Sequence, residues 1–344
     1  MRALKASFAF RVAVALSAVL LGSGPSLAAD EARTLSFRLD WMPSALHSPF
    51  YLAAEKGWFK KADLDVSIVL GTGSVTTVQL VNAGQYDVGH ASLAVMAMGR
   101  GNGMSVTSIA CFTRKLDIAL LVPAESAIRT PADLKGKKVI FTAGSFEGPF
   151  IDTFLEKGGL ARSQVELLNV AFPNRVSTYV TGGADAMFGG AVADFILVSA
   201  KRPTRRILFA DVGINIPSFG IFTTDAMLKK KGEALRTFTS ILAGAWTYVL
   251  AGHQDEAVQA LLRANEKARL DPVLIREQLK VITPFQYTPA TANLPIGVQA
   301  TSDWASAIEV MESAKVIKPG SKPSDYFTND YLDLNLVKST GAGN

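Results

Sequence analysis

The sequence predicts an α/β protein of two lobes, each a mostly parallel sheet flanked by helices, closing on a cleft. Three observations lead there. Short apolar strands alternate with helical patterns through residues 35–122, the arrangement of a parallel sheet covered by helices. The same order of elements returns through residues 130–209, with Ala184-Asp185-Ala186-Met187 standing against Tyr86-Asp87-Val88-Gly89. From Ala226 the pattern is helical without obvious strands, so this last third is expected to pack back on the first lobe. The expected division is residues 29–122 and 219–335 for the first lobe and residues 123–218 for the second. Two chain crossings, placed near residues 122–124 and 218–222, would make the hinge.

Each element has a local reason. Residues 35–39 alternate apolar and polar, which reads as a strand, and Gly57 can end the following helix in a left-handed cap. Residues 64–70 alternate again, and Ser74 can cap a helix carrying Val78, Leu80 and Val81 that stops near Gly84. Residues 86–89 form a very short strand, residues 91–98 a helix, and residues 106–112 and 117–122 two more strands. Thr130-Pro131 opens the second round as a cap and a first-turn proline, and Val139-Ile140-Phe141 starts its sheet. Gly144-Ser145-Phe146-Glu147-Gly148 is a loop entering a helix with Ile151, Phe154 and Leu155 on one face. Residues 165–170, 185–188, 206–209 and 218–222 read as strands, and residues 176–180 as helix. Phe238, Ile241, Leu242, Trp246 and Leu250 recur at helix spacing; residues 256–265 continue helically, and Asp271-Pro272 caps another helix. The small, polar residues 336–344 are expected to be disordered.

Composition narrows the class. Of 344 residues 49% are hydrophobic and 19% charged, enough for a sizeable core and incompatible with global disorder. Arg2, Lys5 and Arg11 precede or open an apolar run that reaches Leu21, and Ser26-Leu27-Ala28 supplies small residues for cleavage. Residues 1–28 therefore read as a secretory signal, too short to remain as a spanning helix. Its removal takes three basic and no acidic residues, lowering the formal charge from +5 to +2, and nucleic acid is not an expected partner. Cys111 is the only cysteine, which excludes a disulfide framework, a structural thiolate zinc site and a lipid anchor at the cleavage position. His47, His90 and His253 show no metal spacing. A periplasmic, unanchored monomer is expected, with no cofactor.

Open α/β sheets bind ligands outside the carboxyl ends of their strands, which singles out the loop after the first strand. There Trp41 can stack on a flat ligand or cap the sheet edge, and Asp40 can accept from a ligand N–H or from local backbone. His47 can contact ligand or brace the loop; Tyr51, one helical turn on, can share its face or belong to the core. Ser92 stands at a strand-to-helix turn whose N–H groups face a cleft, or is a plain cap. Gly144, Ser145, Phe146 and Glu147 form the equivalent entrance in the second lobe. Asp185 is placed at the cleft mouth or as a turn holder, and Ser218 and Phe219 flank the expected hinge. Flat apolar surfaces with hydrogen-bonding edges suit a small heteroaromatic molecule better than a sugar phosphate or a metal.

Several of these stretches resemble type II periplasmic binding proteins of ABC importers, in particular the thiamine-pyrimidine-precursor group, which also includes a eukaryotic pyrimidine synthase. The resemblance rests on Asp40-Trp41-Met42-Pro43, His47, Gly84-Gln85-Tyr86-Asp87-Val88-Gly89, Leu134-Lys135-Gly136-Lys137-Lys138-Val139 and Ser324-Asp325-Tyr326-Phe327, in order along residues 34–335. It implies two lobes that close on a ligand and then dock on an inner-membrane permease. Relatives take formylaminopyrimidines, riboflavin, taurine, alkanesulfonates or nitrate. Departures accompany it. Ala91 and Val95 stand where the synthase branch has a cofactor-bearing lysine and a histidine, and its cysteine-rich run near Ser218 is missing. Ser145 occupies the place of a pyrimidine-contacting glutamate, and Glu147 follows two residues later.

Two functions compete. The first is a non-enzymatic binding protein that delivers a nitrogenous, heteroaromatic nutrient such as a thiamine-pyrimidine precursor; a flavin, sulfonate, nitrate or aromatic acid is the alternative ligand. The second is an enzyme, either synthase-like or a hydrolase using His47 with a carboxylate. Alanine and valine cannot replace a Schiff-base amine and an imidazole, which favours the first.

Overall fold

The computed structural model describes residues 33–343, so the signal expected over residues 1–28 lies outside the described residues. The alternating stretch at the start forms β1 (Thr34–Arg38), with Leu35 and Phe37 fully buried on one face. A 3-10 turn (Ala45–His47) leads into α1 (Ser48–Glu55). Then come β2 (Asp65–Val69), α2 (Ser74–Asn82), β3 (Val88–Ser92), α3 (Leu93–Gly101) and β4 (Val106–Thr113). The chain enters the second sheet with β5 (Ile118–Pro123), followed by β6 (Lys138–Phe141), α4 (Ile151–Glu156), β7 (Glu166–Asn169), α5 (Phe172–Val180), β8 (Ala186–Gly190), α6 (Ala193–Ser199) and β9 (Thr204–Leu208). It returns through β10 (Phe219–Thr224) to the helices α7 (Asp225–Leu250), α8 (Gln254–Ala264), α9 (Pro272–Ile282), α10 (Thr301–Ser313) and α11 (Leu334–Gly341).

The two sheets have five strands each, ordered β2-β1-β3-β10-β4 and β7-β6-β8-β5-β9. In each, four strands run the same way and one strand from across the hinge runs against them: β10 lies antiparallel between β3 and β4, and β5 antiparallel between β8 and β9. The two-lobed α/β architecture is thus the one expected. The crossings differ. Residues 118–123 pair with β8 and β9, so the first crossing is at residues 114–117 and not at residues 122–124. The second precedes β10, since Phe219 already pairs with Ser92 and Thr113. β5 is buried along its whole length, and an apolar run with two buried faces names a strand without naming its sheet. The crossings lie side by side: the Ser218 N–H donates to the Thr113 carbonyl (2.8 Å), and the Asp117 N–H to Ser218 Oγ (3.1 Å).

Matching aspartates close the far end of each sheet. Ser36 N–H and Oγ donate to Asp87 Oδ2 at 2.8 and 2.9 Å, and Lys138 N–H donates to Asp185 Oδ2 at 2.8 Å. Each aspartate stands just before its own strand, Asp87 before β3 and Asp185 before β8, at the end opposite the cleft. Asp185 is therefore a sheet-end clamp and not a cleft residue.

The helical third covers the first sheet, with Phe238, Ile241, Leu242 and Trp246 of α7 buried as their spacing predicts. The residues expected to form a disordered tail instead build most of α11, capped by Asp333, whose carboxylate accepts from the N–H groups of Asn335 and Leu336. Small residues are what let it approach α7 closely. A Cβ on Gly244 would stand 2.5 Å from the Thr340 Cβ and 2.9 Å from the Val337 carbonyl oxygen. Composition alone reads such small residues as a loose end. Among the described residues no helix is long and apolar enough to cross a membrane.

Candidate functional site

Strand ends β1 and β2 from the first lobe face β6 and β8 from the second around a cavity of about 350 Å³, within the range small-molecule sites occupy. The loop after β1 forms one wall. Its path is pinned by the turn after β2: Gly73 N–H donates to the Asp40 carbonyl at 2.7 Å and Gly71 N–H to the Trp41 carbonyl at 3.2 Å. Only glycine fits at 71, where a Cβ would stand 2.1 Å from the Leu39 carbonyl oxygen.

Asp40 lines the cavity and is fixed from behind by two imidazoles. The Ser44 N–H donates to His47 Nδ1 (3.2 Å), so the neutral ring carries its hydrogen on Nε2 and gives it to Asp40 Oδ1 at 2.9 Å. His90 Nδ1 reaches the same oxygen at 2.8 Å, and its Nε2 has no partner. Burial opposes the Asp40 charge, but hydrogen bonds from both rings outweigh it and hold the carboxyl well below the usual carboxylate range. Burial pushes the His90 pKa down. These three side chains bring ligating atoms within 4.8 Å of one another, a gathering that the sequence spacing did not suggest; their donors and acceptors are spent largely on each other.

Aromatic rings meet across the cleft. Trp41 from the first lobe and Phe172 from the second stand edge to face with centroids 4.6 Å apart, and Phe146 meets Phe219 at 5.7 Å. Arg175 lies over the Phe172 ring at 4.7 Å, one turn along α5. Its guanidinium spans two carboxylates, Glu147 at 3.1 Å and Asp194 at 2.5 Å, and Asp194 also accepts from the Gly190 N–H at 2.7 Å. All three side chains are buried; burial pushes the Glu147 carboxyl up, and the two acids raise the arginine against its own burial. The cavity lining includes Asp40, Asp117, Asp194 and Asp271, while Arg175 is the single cation among the described residues of the lining and is already doubly paired.

Of the residues expected from sequence, Asp40, Trp41, Gly144, Ser145, Phe146 and Phe219 come together around the cavity. His47 and Glu147 stand one contact behind it, through Asp40 and Arg175. Tyr51 does not reach it: its ring packs in the core and its hydroxyl bonds Asn265. Ser92 is buried with its N–H donated to Ser74 Oγ (3.1 Å), and Ser218 serves the crossing. Sequence reasoning missed Phe172, Arg175 and Asp194, which sit at strand-to-helix turns as the Gly144 loop does, and Asp117, read as the start of a strand. It also missed the wall formed by Leu270, Asp271, Leu274, Ile275 and Gln278. Here α9 touches α6 of the second lobe and the Ala45–His47 turn of the first, where the Ala45 N–H donates to Gln278 Oε1 at 3.3 Å. No local signal announces a contact made only by tertiary packing.

A family model described as NMT1/THI5 like matches residues 44–257. The formylaminopyrimidine-binding protein of Halalkalibacterium halodurans is 26% identical over 312 residues, covering 87% of this chain and 91% of the relative. A 4-amino-5-hydroxymethyl-2-methylpyrimidine phosphate synthase of Saccharomyces cerevisiae is 26% identical over 230 residues, covering 63% and 67%. Among solved structures, the alkanesulfonate-binding protein of Xanthomonas axonopodis pv. citri superposes with a TM-score of 0.64 at 16% identity, covering 86% of this chain and 98% of that one. That likeness is one of fold, the two-lobed fold of periplasmic binding proteins.

Proposed function

The chain belongs to the NMT1/THI5-like family, and on that premise we propose that it is the periplasmic binding component of an ABC importer, capturing an uncharged or cationic amino-heterocycle of the thiamine-pyrimidine class. It is exported by residues 1–28, acts as a monomer without enzymatic activity or cofactor, and hands its ligand to an inner-membrane permease after the lobes close. The observation that carries the ligand class is the pairing of Trp41 and Phe172 above an acid-rich lining. Stacking surfaces reward a flat ring, and the carboxylates reward its N–H groups. A sulfonate or nitrate would bring its negative charge to this acid-rich lining while Arg175 is committed to Glu147 and Asp194.

The enzyme reading finds little to work with. Ala91 and Val95 are buried in β3 and α3 and offer neither an amine nor an imidazole to a cofactor. His47 has Nδ1 engaged by the Ser44 N–H and Nε2 by Asp40, leaving no nitrogen for a substrate proton. A thermal-shift screen of the mature protein tests the proposal, using aminopyrimidines, flavins, aromatic acids, alkanesulfonates and nitrate. A ligand at about 100 times its dissociation constant stabilises by about 2.7 kcal/mol. A selective shift with aminopyrimidines supports the reading; a shift only with sulfonate or nitrate overturns the ligand class, and an absorbance band with pyridoxal phosphate revives the synthase.

A further inference from the structure

Resting on that reading, we propose that Asp117 reads the polar edge of the ligand, its carboxyl pairing with an exocyclic amine and the adjacent ring nitrogen of an amino-heterocycle. Asp117 lies in the first crossing between the lobes and lines the cavity, yet it is only 2% exposed. Its main chain is tied to both sides: the N–H donates to Ser218 Oγ at 3.1 Å, and the carbonyl accepts from the Ala191 N–H at 3.4 Å. Its carboxyl takes backbone N–H groups from Val192 and Ala191, but Oδ1 is buried with no hydrogen-bond partner. A buried carboxyl oxygen without a partner is costly, and a ligand group that supplies one recovers that cost on binding. Glu147 also has a partnerless oxygen, but it stands behind Arg175 and does not line the cavity.

The charged groups that act on Asp117 are the Asp194 carboxylate and the Arg206 guanidinium, the latter turned to the Ala191 carbonyl at 2.6 Å. Burial, with Asp194 adding to it, pushes the Asp117 carboxyl up to about 8, so at neutral pH it is an acid carrying its proton. A protonated carboxyl offers one donor and one acceptor side by side. A 4-aminopyrimidine edge is its complement: the ring nitrogen accepts the O–H, and the amine donates to the carbonyl oxygen. Sulfonate and nitrate carry acceptors alone and match only half of it. Recognition of this kind discriminates through what is left unpaired when the amine is missing.

Titration calorimetry with 4-amino-2-methylpyrimidine and with 2-methylpyrimidine, which lacks the amine, tests the assignment. Wild type should prefer the amino compound. Asp117→Ala should weaken it at least about tenfold while changing the other less than about threefold, losses equivalent to about 1.4 kcal/mol per factor of ten. In Asp117→Asn the amide keeps one donor and one acceptor, so affinity for the amino probe should persist, without the fall with rising pH above about 8 expected of wild type. The proposal is overturned if Asp117→Ala weakens both probes alike or neither, or if Asp117→Asn shows the wild-type alkaline fall. If wild type binds the amino probe through Trp41 but Asp117 does not discriminate, only this inference falls. If wild type binds neither pyrimidine, the proposed function falls with it.

Discussion

Replacing Arg175 with methionine tests whether the second-lobe wall of the cleft is held by charge. The methionine keeps an unbranched stem over the Phe172 ring, where the guanidinium now lies at 4.7 Å, and removes the charge from between Glu147 and Asp194. Taking one partner from a buried ionic group leaves uncompensated charge and costs about 3–5 kcal/mol. Asp194 retains its bond from the Gly190 N–H, so most of the cost falls on Glu147, which is fully buried and has a partnerless oxygen already. At about 2.1 cal/mol/K per residue over roughly 310 residues, each kcal/mol moves the melting temperature by about 1.5 °C, which gives a fall of about 5–8 °C at pH 7. The sign of the pH dependence follows from Glu147. Its carboxyl is already raised by burial and goes higher without Arg175. A carboxyl raised on folding stabilises the protein at low pH and loses that contribution as the pH rises. The deficit of Arg175→Met should therefore shrink between pH 7 and pH 5 in calorimetric scans. A fall of less than about 1 °C, or a deficit that does not change with pH, would refute the electrostatic account.

Other consequences follow from the same geometry. Trp41→Ala removes a stacking surface worth about 1–3 kcal/mol and should weaken an aminopyrimidine about 5- to 150-fold in calorimetry, while a loss under twofold would deny stacking. Gly244→Val drives methyl groups into Thr340 and the Val337 carbonyl, so hydrogen exchange over residues 334–341 should accelerate; unchanged protection would mean that α11 is held otherwise. Asp117→Asn removes an acid whose pKa is raised on folding to about 8. Wild type should therefore lose stability relative to this variant as the pH rises from about 4 to 8, with the gap level above that, in urea midpoints; a gap that widens on acidification would reverse the assignment.

Much of this fold is legible in local pattern because each parallel strand is followed by its own helix. The alternation in residues 35–39, the cap at Asp271 and the buried faces of α7 all mean in the structure what they mean in the sequence. What is not legible is which sheet a strand joins. Residues 118–122 are apolar on both faces, and their pairing with β8 and β9 is decided by contacts far along the chain. Trp41 and the loop from Gly144 to Phe146 were found because they follow strand ends. Phe172, Arg175 and Asp194 follow strand ends as well, but no motif around them sets them apart in the sequence. Asp117 and α9 reach the cleft through the crossing and the helical third, and only tertiary structure places them there. Tyr51 belongs to the core, as its alternative reading had it, and Asp185 precedes its strand where ligand sites follow theirs.

On the proposed function a flat amino-heterocycle sits against Trp41. Trp58, Trp246 and Trp304 are buried in the core, at 3%, 0% and 0% exposure, which makes Trp41 the fluorescent reporter of the cleft. The most direct measurement is a fluorescence titration of the mature protein with 4-amino-2-methylpyrimidine and, in parallel, with ethanesulfonate. A saturable change with the aminopyrimidine alone, absent in Trp41→Phe, is the predicted result. A saturable change with the sulfonate and none with the aminopyrimidine would contradict the account.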